Sequence, residues 1–304
     1  MLWAGFTAFI VAMLALDLGV LHRDAHEVSV KEAAGWSLVW VALSLAFATG
    51  LSSWAGHEYA VQFVTGYLIE KALSVDNVFV FLVVFSFFKI PPRLQHRVLF
   101  WGIFGALVMR AAFIFLGAAM IARFEWIMYL FGALLVYTGY RMLRSGHDDS
   151  PPEKLAAYRL FRRFVPMTDS YTGDAFFVRE GGRTLATPLA AVLVVIESSD
   201  LMFAVDSIPA IFAVTRDPFL VYTSNVFAIL GLRAMFFLLA GVMDKFAYLK
   251  TGLAVILGYV GFKMLAIEFY HVPPGVSLLV IAAILAVAIA WSLLRPPQSH
   301  QSGH

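Results

Sequence analysis

The sequence predicts an all-α, polytopic helical membrane protein of about nine transmembrane helices, and three observations predict it. Of 304 residues, 61% are hydrophobic and only 14% charged. The apolar residues fall in runs of about 20 rather than at amphipathic spacing, the length a helix needs to cross a hydrocarbon core about 30 Å thick. The charges that do interrupt these runs recur as two matching acidic motifs, and isolated charges at membrane depth survive mainly where they pair or line a polar cavity.

Taken in order, the runs lie near 2–21, 34–51, 59–88, 98–121, 124–143, 187–215, 218–243, 247–269 and 274–294. Residues 1–21 have no positive amino-terminal region or small-residue cleavage site and contain Asp17, so the first run is expected to be a retained span rather than a signal peptide. One set of loops carries nearly all the Lys and Arg, including Arg141, Arg144, Lys154, Arg159, Arg162, Arg163, Arg179 and Arg183 in the long central connection. The opposite set has only Arg123 and Arg216. This bias predicts a multi-pass protein of the cytoplasmic (inner) membrane with its amino terminus outside and its carboxyl terminus in the cytoplasm.

The long connection, 144–186, joins a basic amphipathic stretch at 155–165 to a segment whose Gly181-Gly182 pair suggests a hairpin. It reads as a cytoplasmic linker lying along the membrane. Weak net charge (+2) without an aromatic-basic stripe argues against nucleic acid as a partner. The absence of cysteine removes disulfides, thiolate metal sites and thiol nucleophiles, so any metal must be held by oxygen or imidazole. His22 and His26 stand four apart beside Arg23 and read as interfacial; His300 and His304 belong to a short polar tail.

Aligning Asp76 with Asp206 sets Glu70 opposite Asp200 and Asn77 opposite Ser207. Farther on, Arg110-Ala111 parallels Arg233-Ala234, and Gly139-Tyr140-Arg141-Met142-Leu143 parallels Gly261-Phe262-Lys263-Met264-Leu265. The single transmembrane domain, 1–304, therefore contains two three-helix copies, 59–143 and 187–269, around the linker. An odd number of crossings makes them an inverted repeat, the plan on which many secondary transporters build a midplane site from discontinuous helices.

Glu70 and Asp76 are six residues apart, about 240° around an unbroken helix. Asp200 and Asp206 share that spacing, so an unwound centre or re-entrant bend is expected if each pair is to face one pocket. Pro209 supplies a cause in the second copy, because it frees the carbonyl of Val205. Carboxylates, amide oxygens, hydroxyls and freed carbonyls are hard ligands suited to Mg, Ca or Mn. The candidate metal ligands are Asp17, Glu70, Asp76, Asn77, Glu197, Asp200, Asp206 and Ser207. Lys71, Arg110 and Arg233 are candidates for charge pairing or proton relay, and pairing of the acids with these cations is the competing structural explanation.

The first-span segment Ala15-Leu16-Asp17-Leu18-Gly19-Val20 with His22-Arg23, the segments Glu70-Lys71 and Ser74-Val75-Asp76-Asn77-Val78-Phe79, and Glu197-Ser198-Ser199-Asp200 with Phe203-Ala204-Val205-Asp206-Ser207-Ile208-Pro209-Ala210 together resemble the TerC family of integral membrane proteins. That family is named for tellurite resistance and includes the Alx-like manganese exporters. Phe161-Arg162-Arg163-Phe164, Thr172-Gly173 and Phe176-Phe177 of the linker extend the resemblance. It implies a lysine-exporter-like transporter fold, metal homeostasis and ion transport, with manganese efflux foremost, and it places functional acids at Asp17, Glu70, Asp76, Glu197, Asp200 and Asp206.

The function expected is therefore a non-enzymatic secondary transporter, without a resident cofactor, that exports a divalent metal ion in exchange for protons across the lipid bilayer. The alternative is a scaffold for membrane-protein assembly or stress response linked to tellurite resistance. A minor alternative is an intramembrane aspartyl protease, disfavoured because each Asp is followed by Asn77 or Ser207 rather than set in a Gly-x-Gly-Asp motif.

Overall fold

A computed structural model describes residues 2–19, 30–124, 126–144, 156–168, 171–180, 182–240, 248–270 and 272–294. His22, His26, His300 and His304 lie outside these residues. So do the side chains of Asp17 and Asp76, although both positions are helical in backbone.

Among the described residues the secondary structure is helical except for one hairpin. Its elements are α1 (Leu2–Gly19), α2 (Val30–Trp54), α3 (His57–Phe87), α4 (Pro92–Arg123), α5 (Ile127–Arg144), α6 (Ala156–Phe164), β1 (Phe177–Glu180), β2 (Arg183–Ala186), α7 (Pro188–Phe212), α8 (Pro218–Leu230), α9 (Leu232–Ala240), α10 (Leu249–Leu265) and α11 (Pro274–Leu294). Proline opens α4, α7, α8 and α11, where its missing N–H would be unsatisfied in any case. Asp217 caps α8 by accepting from the Phe219 amide at 2.8 Å. The chain enters α3 through Gly56, whose φ of 108° suits a residue without Cβ.

Within the described residues each apolar run of the sequence falls on one helix or, for 218–243, on the pair α8 and α9. Among the described residues four helices are long and apolar enough by themselves to cross a membrane, and five spans result if the bent pair is one. At 31 residues α3 is also long enough, but Glu70, Lys71 and Asp76 interrupt its centre.

The expected unwinding at the acids does not occur. Both α3 and α7 run unbroken through their acidic motifs, and α7 continues past Pro209 to Phe212. The break falls instead at Gly231, where α8 and α9 meet at 40°.

Close contacts fix the directions of the helices. Gly66 and Asn77 of α3 meet Ile211 and Asp200 of α7, so these two run antiparallel. Gly102, Gly105 and Gly117 of α4 meet Ile196, Glu197 and Phe212, so α4 runs parallel to α7. Gly132 and Gly139 of α5 meet Gly261 and Ala254 of α10, again antiparallel. Thus α3 opposes α7 and α5 opposes α10, and α3, α4, α7 and α8 converge at the centre.

The α5–α10 contact depends on missing side chains. A Cβ on Gly261 would stand 2.7 Å from the Gly132 carbonyl oxygen, whereas one on Gly258 would meet nothing within 4 Å. Gly261→Ala is expected to lower stability by about 1–3 kcal/mol. Gly258→Ala should be neutral or stabilising by up to about 1 kcal/mol. Thermal unfolding of the detergent-solubilised protein checks both, and equal midpoints would remove the close approach as a determinant of the fold.

The linker is folded onto the bundle. β1 pairs antiparallel with β2, Glu180 opposite Arg183, and Gly182 takes a φ of 80° at the turn. The Tyr171 hydroxyl donates to the Phe88 carbonyl at 2.7 Å, Thr187 Oγ1 donates to the Ala175 carbonyl at 2.7 Å, and Arg97 pairs with Asp174 while lying 5.3 Å from the Phe176 ring centre.

Candidate functional site

At the convergence of α3, α4 and α7 a single guanidinium organises the acids. Arg110 of α4 is 1% exposed and Glu70 of α3 is 0% exposed. Arg110 Nη1 donates to Glu70 Oε1 and, at 3.2 Å, to Ser207 Oγ; Nη2 and Nε donate to Asp200 Oδ1 and Oδ2 at 2.8 and 3.2 Å. Both oxygens of Asp200 are thereby held in the fork geometry that distinguishes arginine from lysine. Asn77 Nδ2 donates to Asp200 Oδ1 at 3.2 Å, tying the first copy's motif to the second's.

The periodicity of each helix explains which motif members meet. Glu70 and Asn77 are seven apart on α3, and Asp200 and Ser207 are seven apart on α7, so each pair lies two turns apart on one face. These two faces oppose each other across the antiparallel contact, and Arg110 fills the space between them.

The other candidates whose side chains are described lie elsewhere. Asp206 turns toward α5 and accepts from Thr138 Oγ1 at 3.0 Å. Glu197, one turn before Asp200, makes no hydrogen bond or ion pair among the described residues, and its carboxylate rests against Gly105, where a Cβ would stand 2.1 Å from Oε1. Lys71 leaves the acids altogether: its Nζ donates to the Ala228 carbonyl at 3.4 Å and lies against Gly231. A cation there satisfies the negative end of α8 at the helix break. Arg233 Nη2 is 2.9 Å from His96 Nδ1.

The structure therefore brings together Glu70, Asn77, Asp200 and Ser207 with Arg110, and it separates Glu197, Asp206, Lys71 and Arg233 from that cluster. Among the described residues no three His, Asp or Glu side chains are gathered as ligands of one metal ion. The internal pairing weighed from the sequence is present at Arg110. Two carboxylates against one guanidinium still leave a negative charge over when all three are ionised. Two acceptors, Glu70 Oε2 and Asn77 Oδ1, are buried without a hydrogen-bond partner among the described residues, a costly condition at membrane depth. They are hard oxygens, the donor type a proton, water or divalent cation takes.

The sequence places His96 at a loop edge outside any constellation, and it does not single out Thr138, Gly105 or Asn225, a buried amide on α8 with neither polar atom partnered among the described residues. Thr138 precedes the repeated Gly139 motif and carried that signal; a lone glycine in an apolar run carries none.

The description "Integral membrane protein TerC family" matches residues 55–300. An uncharacterized membrane protein of Myxococcus xanthus is 57% identical over 294 residues, covering 97% of this chain and 92% of its own. A Salmonella typhi protein provisionally named membrane-bound redox modulator Alx is 51% identical over 298 residues, covering 95% and 92%. The protein of that name from Escherichia coli K12 is 50% identical over 305 residues, covering 96% and 94%. No solved structure matches the chain.

Proposed function

The chain belongs to the TerC family of integral membrane proteins, and from that premise we propose that it is a secondary transporter exporting divalent cations, with Mn2+ as cargo, from the cytoplasm across the inner membrane. The observation that carries this reading is the Arg110 cluster: two buried carboxylates from opposed helices, compensated by one guanidinium, with two buried oxygens unpartnered among the described residues.

Arg110 acts in this reading as an internal counter-cation. It holds Glu70 and Asp200 together when cargo is absent, and an entering dication displaces the guanidinium and takes the carboxylates with Asn77 and Ser207 as further oxygen donors. Asp17, Asp76, Glu197 and Asp206 serve the approaches and the protons. Export of a cation against an inside-negative potential costs about 2.3 kcal/mol per charge per 100 mV, and inward protons supply that work. Alternating access comes from rocking one inverted copy against the other, with α5–α10 as a close-packed fulcrum.

The name given to the Salmonella and Escherichia relatives points to redox modulation. This chain has no cysteine, so such a role would act here without thiols, and movement of a redox-active metal ion accommodates it.

The test is cellular manganese in cells lacking their own exporter. Wild type is expected to lower it, and Asp76→Asn and Asp206→Asn at matched membrane abundance to lose that effect. Equal manganese with wild type and empty vector would sink manganese export and favour the assembly-scaffold alternative.

A further inference from the structure

Helix α6 has a face that the bundle does not cover. The ring of Tyr158 packs edge-on against Phe88 at 5.4 Å, which fixes one side of the helix to the end of α3. At about 100° per residue, Leu160 and Phe164 form a strip on the side away from Tyr158, about 120–160° around the helix, while Arg159 and Arg163 form another with Arg162 adjacent. Leu160 is 59% and Phe164 72% exposed, and all three arginines are exposed. The apolar half of α6 is thus larger than the area the bundle buries, and the uncovered part borders a continuous basic edge.

The helix contains no acid. Of the acids in the described part of the linker, Asp174 is paired with Arg97 and Glu180 stands opposite Arg183 in the hairpin. Contacts of Tyr171, Arg97 and Thr187 hold the linker where α3 ends and α7 begins. In a membrane-spanning bundle, the ends of the spans lie at the headgroup level. An amphipathic helix fixed there, with an apolar strip flanked by arginines, has the design of helices that lie in an anionic lipid surface.

We propose that α6 binds the anionic phospholipid headgroups of the leaflet bordering this end of the bundle, with Leu160 and Phe164 entering the acyl boundary and Arg159, Arg162 and Arg163 engaging phosphate oxygens. Charge complementarity and continuity with the spans select this occupant. Each arginine near such a surface strengthens attachment about fivefold, and salt weakens it.

The test exploits the cysteine-free chain. Leu160→Cys, and separately Phe164→Cys, is labelled with bimane in the full-length protein and reconstituted in nanodiscs of phosphatidylcholine alone or with phosphatidylglycerol. Both sites are already exposed, so neither label disturbs the core, and each variant retains the other apolar anchor. With phosphatidylglycerol, quenching by aqueous iodide is expected to fall several-fold and quenching by brominated lipid to rise. High salt or Arg159→Gln/Arg162→Gln/Arg163→Gln should return the probe to its phosphatidylcholine values. Iodide access that is equally high in both lipids overturns the proposal and leaves the patch to an acidic protein surface. Lipid quenching that ignores both salt and the arginines overturns headgroup recognition.

Discussion

Asp200→Asn is expected to abolish manganese export while leaving the protein in the membrane. Asp200 receives three hydrogen bonds, two from Arg110 and one from Asn77, and it joins α7 to both α3 and α4. Neutralising it removes half of the paired negative charge and turns one charged acceptor into an amide whose N–H2 opposes the guanidinium. Losing about 3 kcal/mol of cargo interaction corresponds to roughly a hundredfold in affinity. Glu70→Gln should fall in the same range, because Glu70 is the other carboxylate against Arg110 and supplies an unpartnered oxygen. Transport of Mn2+ into inside-out vesicles, driven by an imposed proton gradient, measures both. Export by Asp200→Asn within twofold of wild type would remove the Arg110 cluster from the cargo path, whatever Asp76 and Asp206 do.

Removing the guanidinium should be costly in a different way. Arg110→Met leaves Glu70 and Asp200 buried side by side without compensation, and breaking a buried charge pair by deleting one partner costs about 3–5 kcal/mol. For a chain of this size that is a fall of roughly 10 °C in the unfolding midpoint. Adding Glu70→Gln and Asp200→Asn to Arg110→Met removes the stranded charges and should recover most of the lost stability, but not export. A midpoint for Arg110→Met equal to wild type would show that the cluster is already neutralised by other means. Recovery of export by the triple variant would show that its charges serve the fold alone.

Gly105 offers a milder perturbation of the same region. Its lack of a side chain is what lets α4 approach the carboxylate of Glu197, so Gly105→Ala should displace that carboxylate without touching Arg110.

Much of this arrangement was legible in the residues themselves. Runs of about 20 apolar residues determined the membrane-spanning helical class, because hydrocarbon tolerates few other ways of satisfying a backbone. The recurrence of Glu70, Asp76 and Asn77 as Asp200, Asp206 and Ser207 marked two equivalent helices. Their spacing also determined that Glu70 and Asp76, about 240° apart, could not share a face of one straight helix.

Only the tertiary structure decided how that conflict resolves. Neither α3 nor α7 unwinds. Glu70 meets Asp200 across the antiparallel contact through Arg110, and Asp206 is left to Thr138 on another helix. The break expected beside the acids falls at Gly231, with the Lys71 ammonium at the end of α8. Periodicity fixes which residues of a helix point the same way. Which neighbour they meet depends on how closely helices approach, and here that is set by glycines such as Gly105, Gly139 and Gly261 whose partners lie far along the chain.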